Sequence, residues 1–129
     1  MSVTLTAKER RLRDLARKHG TPLMLISRSV LRDQLQRFRQ ALPRVEPFFA
    51  IKANAHPEII KTMVAGRASF DVASVAEMNL VLAAGAKPAQ IIFANTVKPE
   101  ESIALAAKKG VTLMTFDSEY ELAKIAEHA

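Results

Sequence analysis

The run Pro47-Phe48-Phe49-Ala50-Ile51-Lys52-Ala53-Asn54 is an apolar stretch that ends in a lysine and gives way to a polar turn at His56 and Pro57. Consecutive apolar residues bounded by a turn signal predict a short buried strand with Lys52 at its C-terminal end. A lysine partly withdrawn from water has its charged form disfavoured. The neutral amine then becomes available as a nucleophile, as Schiff-base chemistry requires. The competing reading is a lysine that ends a strand and reaches into solvent.

The same pattern recurs downstream. Ser69-Phe70-Asp71-Val72-Ala73-Ser74 reads as a second strand ending in a carboxylate and a hydroxyl, and further strands start near Ile91 and Thr112, at a near-constant step. Helix signals fall between them. Pro57 suits a first helical turn. Ser74 with Glu77, and Ser118 with Glu121, have capping-box spacing. Pro99 precedes Glu100 and Glu101, acids at the positive end of a helix. Gly66, Gly85 and Gly110 close helices before the next strand. Strand and helix alternating at this period predict right-handed βαβ units and a parallel sheet. In such a sheet, successive strand ends share an edge. Lys52, Asp71 and Asn95 are therefore expected at one rim and the three glycines at the other. A leucine-rich solenoid has a similar period, but its asparagine ladder is absent.

Upstream, Thr6-Ala7-Lys8-Glu9 is a capping-box pattern followed by Leu12, Leu15 and Ala16 at helical spacing, and Gly20 is a natural stop. Thr21 to Ile26 reads as a short apolar strand. From about Ser29 to Leu42, the residues Val30, Leu31, Leu35, Phe38 and Leu42 fall on one helical face, and Pro43 ends the helix. The chain divides into 1–44, which leads in, and 45–129, which carries the regular βα units.

Four motifs, F-F-A-I-K-A-N, F-D-V-A-S-x-x-E, I-I-F-A-N and L-M-T-F-D-S-E, occur in this order. Together they resemble the pyridoxal-phosphate-dependent basic amino acid decarboxylases of the alanine-racemase-like barrel fold, over about Thr21 to Ala129. The resemblance implies an α/β fold: a partial (β/α)8 barrel of parallel strands alternating with helices, with about four βα units present. It implies that Lys52 forms the internal aldimine with pyridoxal phosphate and that Asp71 lies close to that Schiff base. Glu77 matches a cofactor-side glutamate, although it also completes a capping box with Ser74. Asn95 would line the rim, and Asp117 matches a position at a homodimer interface. The implied activity is decarboxylation of ornithine or lysine to a diamine. Diaminopimelate and arginine decarboxylases share the early motifs. The alternative is a non-catalytic half-barrel or regulatory relative that acts by binding protein.

Composition narrows the classes. An apolar fraction of 49% is ordinary for a globular domain, and no window approaches the uninterrupted apolar length of a membrane span. The net charge of +6 comes from the first third, where Lys and Arg heavily outnumber Asp and Glu. With aromatics at only 5% and no tryptophan, the basic surface lacks bases-stacking side chains, so solvated helix faces are expected rather than a nucleic-acid site. The absence of cysteine removes disulfides and thiolate metal sites and fits a cytoplasmic protein. His19, His56 and His128 lie far apart, so no metal is expected. His56 reads as a turn residue, and the other two as helix-end residues.

A complete barrel of this kind needs roughly 250 residues. The chain is therefore expected to be the first half of one. Its isolated glycines offer no phosphate loop. An open sheet is expected to expose Phe49, Ile51, Phe70, Val72 and Ile92 on its inner face, and so to associate and lack activity by itself.

Overall fold

The computed structural model describes residues 6–129. Helix α1 (Ala7–His19) starts with Thr6 as N-cap, and the capping box closes: the Glu9 carboxylate accepts from the Thr6 N–H at 2.7 Å. Helix α2 (Arg28–Ala41) follows, capped by the Ser27 hydroxyl. Strand β1 (Phe48–Ala50), a 3-10 turn (Ile51–Ala53) and α3 (Pro57–Ala65) form the first βα unit. Strand β2 (Ser69–Val72) with α4 (Val75–Ala83), β3 (Ile91–Phe93) with α5 (Glu100–Lys108), and β4 (Leu113–Met114) with α6 (Glu119–His128) form the next three. The strands begin where the sequence pattern puts them, to within a residue.

All four strands are parallel, in the order β1-β2-β3-β4. The register sets Ala50 beside Asp71 and Asp71 beside Ile92. Each strand therefore points its C-terminal end to the same edge, and Gly66, Gly85 and Gly110 lie in the turns that enter the strands from the opposite edge. The expected two-rim arrangement is the observed one.

The two faces of the sheet differ. Ile51, Phe70, Val72, Ile91 and Phe93 are buried in one cluster with Ile60 and Met63 of α3, Met78 and Val81 of α4 and Ala106 of α5. The helices thus cover this face only. Phe49, Ile51, Phe70 and Val72, expected on the open face, lie on the covered one. The period of two fixes which residues share a face, but not which face receives the helices. The open face carries Phe48, Ala50, Asp71, Ile92 and Leu113, of which Phe48 is 37% and Leu113 49% exposed.

The segment from Thr21 to Ile26 is not a strand. It has no hydrogen-bonding partner in the sheet, and Met24, Leu25 and Ile26 are exposed. An apolar run shows β propensity, but without a neighbouring edge it has no ladder to join. Helix α2 is held to the barrel units instead. Leu35 is buried, Arg28 pairs with Glu58 at 2.6 Å, and the Arg39 guanidinium donates to the carbonyls of Gly66 (2.8 Å) and Arg67 (2.6 Å).

The face assignment makes a direct prediction. Phe70→Ala, on the covered face, is expected to cost about 3–5 kcal/mol in urea unfolding. Phe48→Ala, on the open face, is expected to cost about 1 kcal/mol or less. Equal losses would contradict the assignment.

Candidate active site

The C-terminal edge of the sheet gathers the residues that the motifs singled out. Strand β1 stops at Ala50, and Lys52 sits two residues on, in the middle of the 3-10 turn. Its side chain is exposed, so the withdrawal from water anticipated from the apolar run does not occur among the described residues. The lysine lies past the strand end, in contact with solvent. Asp71, one strand over, is half-buried on the open face beside Ala50. The small side chain of Ala50 leaves that face clear next to the carboxylate.

The edge continues regularly. The Ala94 N–H donates to the Val72 carbonyl at 2.9 Å, and the Thr115 N–H donates to the Phe93 carbonyl at 3.1 Å, extending the ladder beyond the strands. Asn95 follows directly and is exposed at the rim. Asp117 is exposed in the loop before α6. His56 is the N-cap of α3, its Nδ1 accepting from the Glu58 N–H at 3.2 Å, which bears out its reading as a turn residue. Glu77 is bound locally: its carboxylate accepts from the Ala73 N–H at 2.7 Å, one residue ahead of the N-cap Ser74. That contact steadies the turn immediately after Asp71. A cleft of about 420 Å³ lies between the 21–26 segment and the turn that leads into α3, with Met24, Ile26, Asn54 and His56 in its walls. Neither Lys52 nor Asp71 lines it.

Glu77 thus does not close a capping box on Ser74, and the box expected at Ser118 does not close either. The Ser118 hydroxyl accepts from the Glu121 N–H at 3.2 Å, but the Glu121 carboxylate does not return to Ser118. It is buried, with Oε1 2.9 Å from Lys98 Nζ and Oε2 2.6 Å from Lys124 Nζ. Lys98 is buried as well, at 1% exposure. Nothing in the sequence around Thr96-Val97-Lys98-Pro99 announces a buried cation. The pair arises only when β4 and α6 are folded beside the β3–α5 loop. Among the described residues, no group of three or more His, Asp and Glu side chains could hold a metal ion, and no helix is long and apolar enough to cross a membrane.

An accessible primary amine at the C-terminal edge, a carboxylate on the adjacent strand and an uncovered face between them suit a carbonyl-bearing cofactor held through a lysine. The family model described as "Pyridoxal-dependent decarboxylase, pyridoxal binding domain" matches residues 28–129. The chain belongs to this family. Its cofactor is pyridoxal phosphate. Ornithine decarboxylase of Nicotiana glauca, named as chloroplastic, is 46% identical over 94 residues, 73% of this chain and 22% of that protein. Antizyme inhibitor 2 of Xenopus laevis is 47% identical over 90 residues, 70% of this chain and 20% of that protein. The lysine/ornithine decarboxylase of Vibrio vulnificus, solved with putrescine, superposes with a TM-score of 0.86 at 31% identity, over 96% of this chain and 34% of that one. The chain thus spans about a fifth of the length of the curated relatives it matches. The family architecture accounts for the parallel α/β sheet as part of a (β/α)8 barrel. A chloroplastic relative means that membership alone does not fix the compartment.

Hydrogen bonding from Lys124, followed by contacts from Lys98, holds the Glu121 carboxyl down at about 2 against its ordinary 4.5, although burial pushes the other way. A carboxyl lowered in the folded state contributes stability above pH 4.5 and loses it as pH falls toward 2. The stability difference between the wild type and Glu121→Gln is therefore expected to be greatest above pH 4.5 and to shrink between pH 4.5 and 2, as read by urea unfolding across that range. A difference that stays constant with pH would contradict the ion pair.

Proposed function

We propose that this chain forms the cofactor-anchoring edge of a decarboxylase that converts ornithine or lysine to a diamine, with Lys52 as the anchor. The observation that carries the reading is the pairing of Ala50 with Asp71 in a parallel ladder. It sets the strand that leads to Lys52 beside the strand that bears the carboxylate, with both at the C-terminal edge, where barrels of this class keep their chemistry.

The residues divide the work. Lys52 Nζ would hold the cofactor through its aldehyde carbon, with loss of water. Asp71, facing the uncovered side next to Ala50, favours a proton on that nitrogen, because a neighbouring negative charge stabilises the cationic form. Glu77 acts on the cofactor side through the turn that its bond to Ala73 fixes. Pyridoxal phosphate, when bound, supplies the electron sink for the bond broken as carbon dioxide leaves. The whole protein is proposed to be a homodimer with Asp117 at its interface. The ornithine decarboxylase and the lysine/ornithine decarboxylase among the relatives support ornithine or lysine as substrate, and an arginine decarboxylase is among the matched structures as well. The antizyme inhibitor relative favours a second reading, a chain that binds protein without catalysis. The presence of both Lys52 and Asp71 favours the first.

Cofactor uptake separates the two. Borohydride treatment of the loaded whole protein, followed by peptide mapping, is expected to recover the cofactor on Lys52. Lys52→Ala is expected to abolish the visible absorbance of the bound cofactor and to lower turnover by several orders of magnitude, since covalent catalysis is lost. Cofactor on Lys61 or another lysine would refute the assignment, and no uptake at all would favour the protein-binding reading.

A further inference from the structure

We infer that Lys98 is the positioning residue of the C-terminal rim: its buried ammonium ties the loops that follow β3 and β4 to α6, and so fixes the edge on which Lys52 and Asp71 stand. The inference rests on the proposed reading of that edge as the cofactor site.

A lysine ammonium has three donors and no acceptor. Lys98 Nζ places all of them: on the Asn95 carbonyl at 3.0 Å, the Thr115 carbonyl at 2.6 Å and Glu121 Oε1 at 2.9 Å. The three acceptors belong to three segments, namely the loop after β3, the end of β4 and helix α6. The Lys98 N–H also donates to Glu121 Oε1 at 3.0 Å. No buried side-chain nitrogen or oxygen among the described residues lacks a partner. Lys98 is thus a single point at which three chain segments are fastened.

The connection to the site is short. Asn95, whose carbonyl Lys98 holds, follows Ala94, whose N–H donates to Val72. Val72 is the neighbour of Asp71. A shift of the 94–99 loop therefore reaches the strand that bears the carboxylate through one peptide and one hydrogen bond. Stability gives little reason for such a pair. Apolar residues of similar volume in place of a buried ion pair are often as stable or more so, whereas removing one partner is strongly destabilising. Water barely reaches the Glu121 carboxylate, which is 2% exposed. What an apolar pair cannot reproduce is the fixed triple tether.

This separates positioning from folding. Lys98→Met alone leaves Glu121 with Lys124 as its one ion-pair partner and the Asn95 and Thr115 carbonyls without the ammonium, and is expected to lower the Tm. The double variant Lys98→Met with Glu121→Gln removes both charges of the buried pair, leaves the partly exposed Lys124 an amide oxygen in place of the carboxylate, and keeps an acceptor for the N–H of residue 98, so most of the Tm is expected to return. Positioning does not return with it. In the whole protein carrying the double variant, amides of residues 94–98 and 115–118 are expected to exchange with deuterium about tenfold or more faster, while the strand amides of Phe70 and Ile92 keep wild-type rates. Pyridoxal phosphate, titrated by absorbance, is expected to bind about tenfold more weakly. A double variant that recovers exchange rates and cofactor affinity along with its Tm would show that the pair only stabilises the fold. Loosened loops with unchanged affinity would sever the loops from the site and equally overturn the inference. Should the wild type take up no cofactor on Lys52, the proposed site falls, and the exchange rates alone still decide whether Lys98 fixes the rim.

Discussion

Parallel pairing between β1 and β2 is the constraint from which the rest follows. Two parallel strands need a crossover, and α3 supplies it on one side of the sheet. Repetition of the same handed step puts every helix on that side and every strand end at one edge. The strands contain only two to four residues each, so their ladders hold few hydrogen bonds. Most of the hold comes from Phe70, Val72, Ile91 and Phe93, packed against α3, α4 and α5. The other face is left to Ala50, Asp71 and Ile92. Covering one face and clearing the other is a single event.

Two polar fasteners mark the two ends of the sheet, and they differ in chemistry. At the N-terminal edge, Arg39 of α2 grips the carbonyls of Gly66 and Arg67, where Arg67 takes a positive φ of 57°. A guanidinium fork matches two successive carbonyls, and it pins a turn in which a non-glycine residue holds the left-handed conformation. At the C-terminal edge, the ammonium of Lys98 gathers three acceptors from three directions. The first fastener holds a helix to a turn, whereas the second sets loops that border the candidate chemistry. This matches the general division of barrels into a stability end and a functional end.

The repeated βα pattern, the strand starts and the shared edge of Lys52, Asp71 and Asn95 were legible in the sequence, because period and turn chemistry are local signals. Three features were not. Thr21–Ile26 has the composition of a strand, but composition does not provide a partner. The alternation in Phe48-Phe49-Ala50-Ile51 separates two sets of side chains, and only the handed crossover decides which set is covered. Glu121 has capping-box spacing to Ser118, yet a buried lysine brought from 23 positions upstream competes for its carboxylate and wins. Lys98 itself carries no local signal, since its burial is created by tertiary contact. Lys52 shows the converse: its apolar run suggested a shielded amine, and the strand ends two residues too early to shield it.

The central claim is that Lys52 and Asp71 share one edge and one uncovered face and that the cofactor is held there. A crystal structure of the whole protein loaded with pyridoxal phosphate tests it most directly. Density joined to Lys52 Nζ, lying at the C-terminal edge over Ala50 with Asp71 alongside, is the expected result. Cofactor density at the edge of Gly66, Gly85 and Gly110, or Lys52 and Asp71 at opposite ends of the sheet, would contradict it.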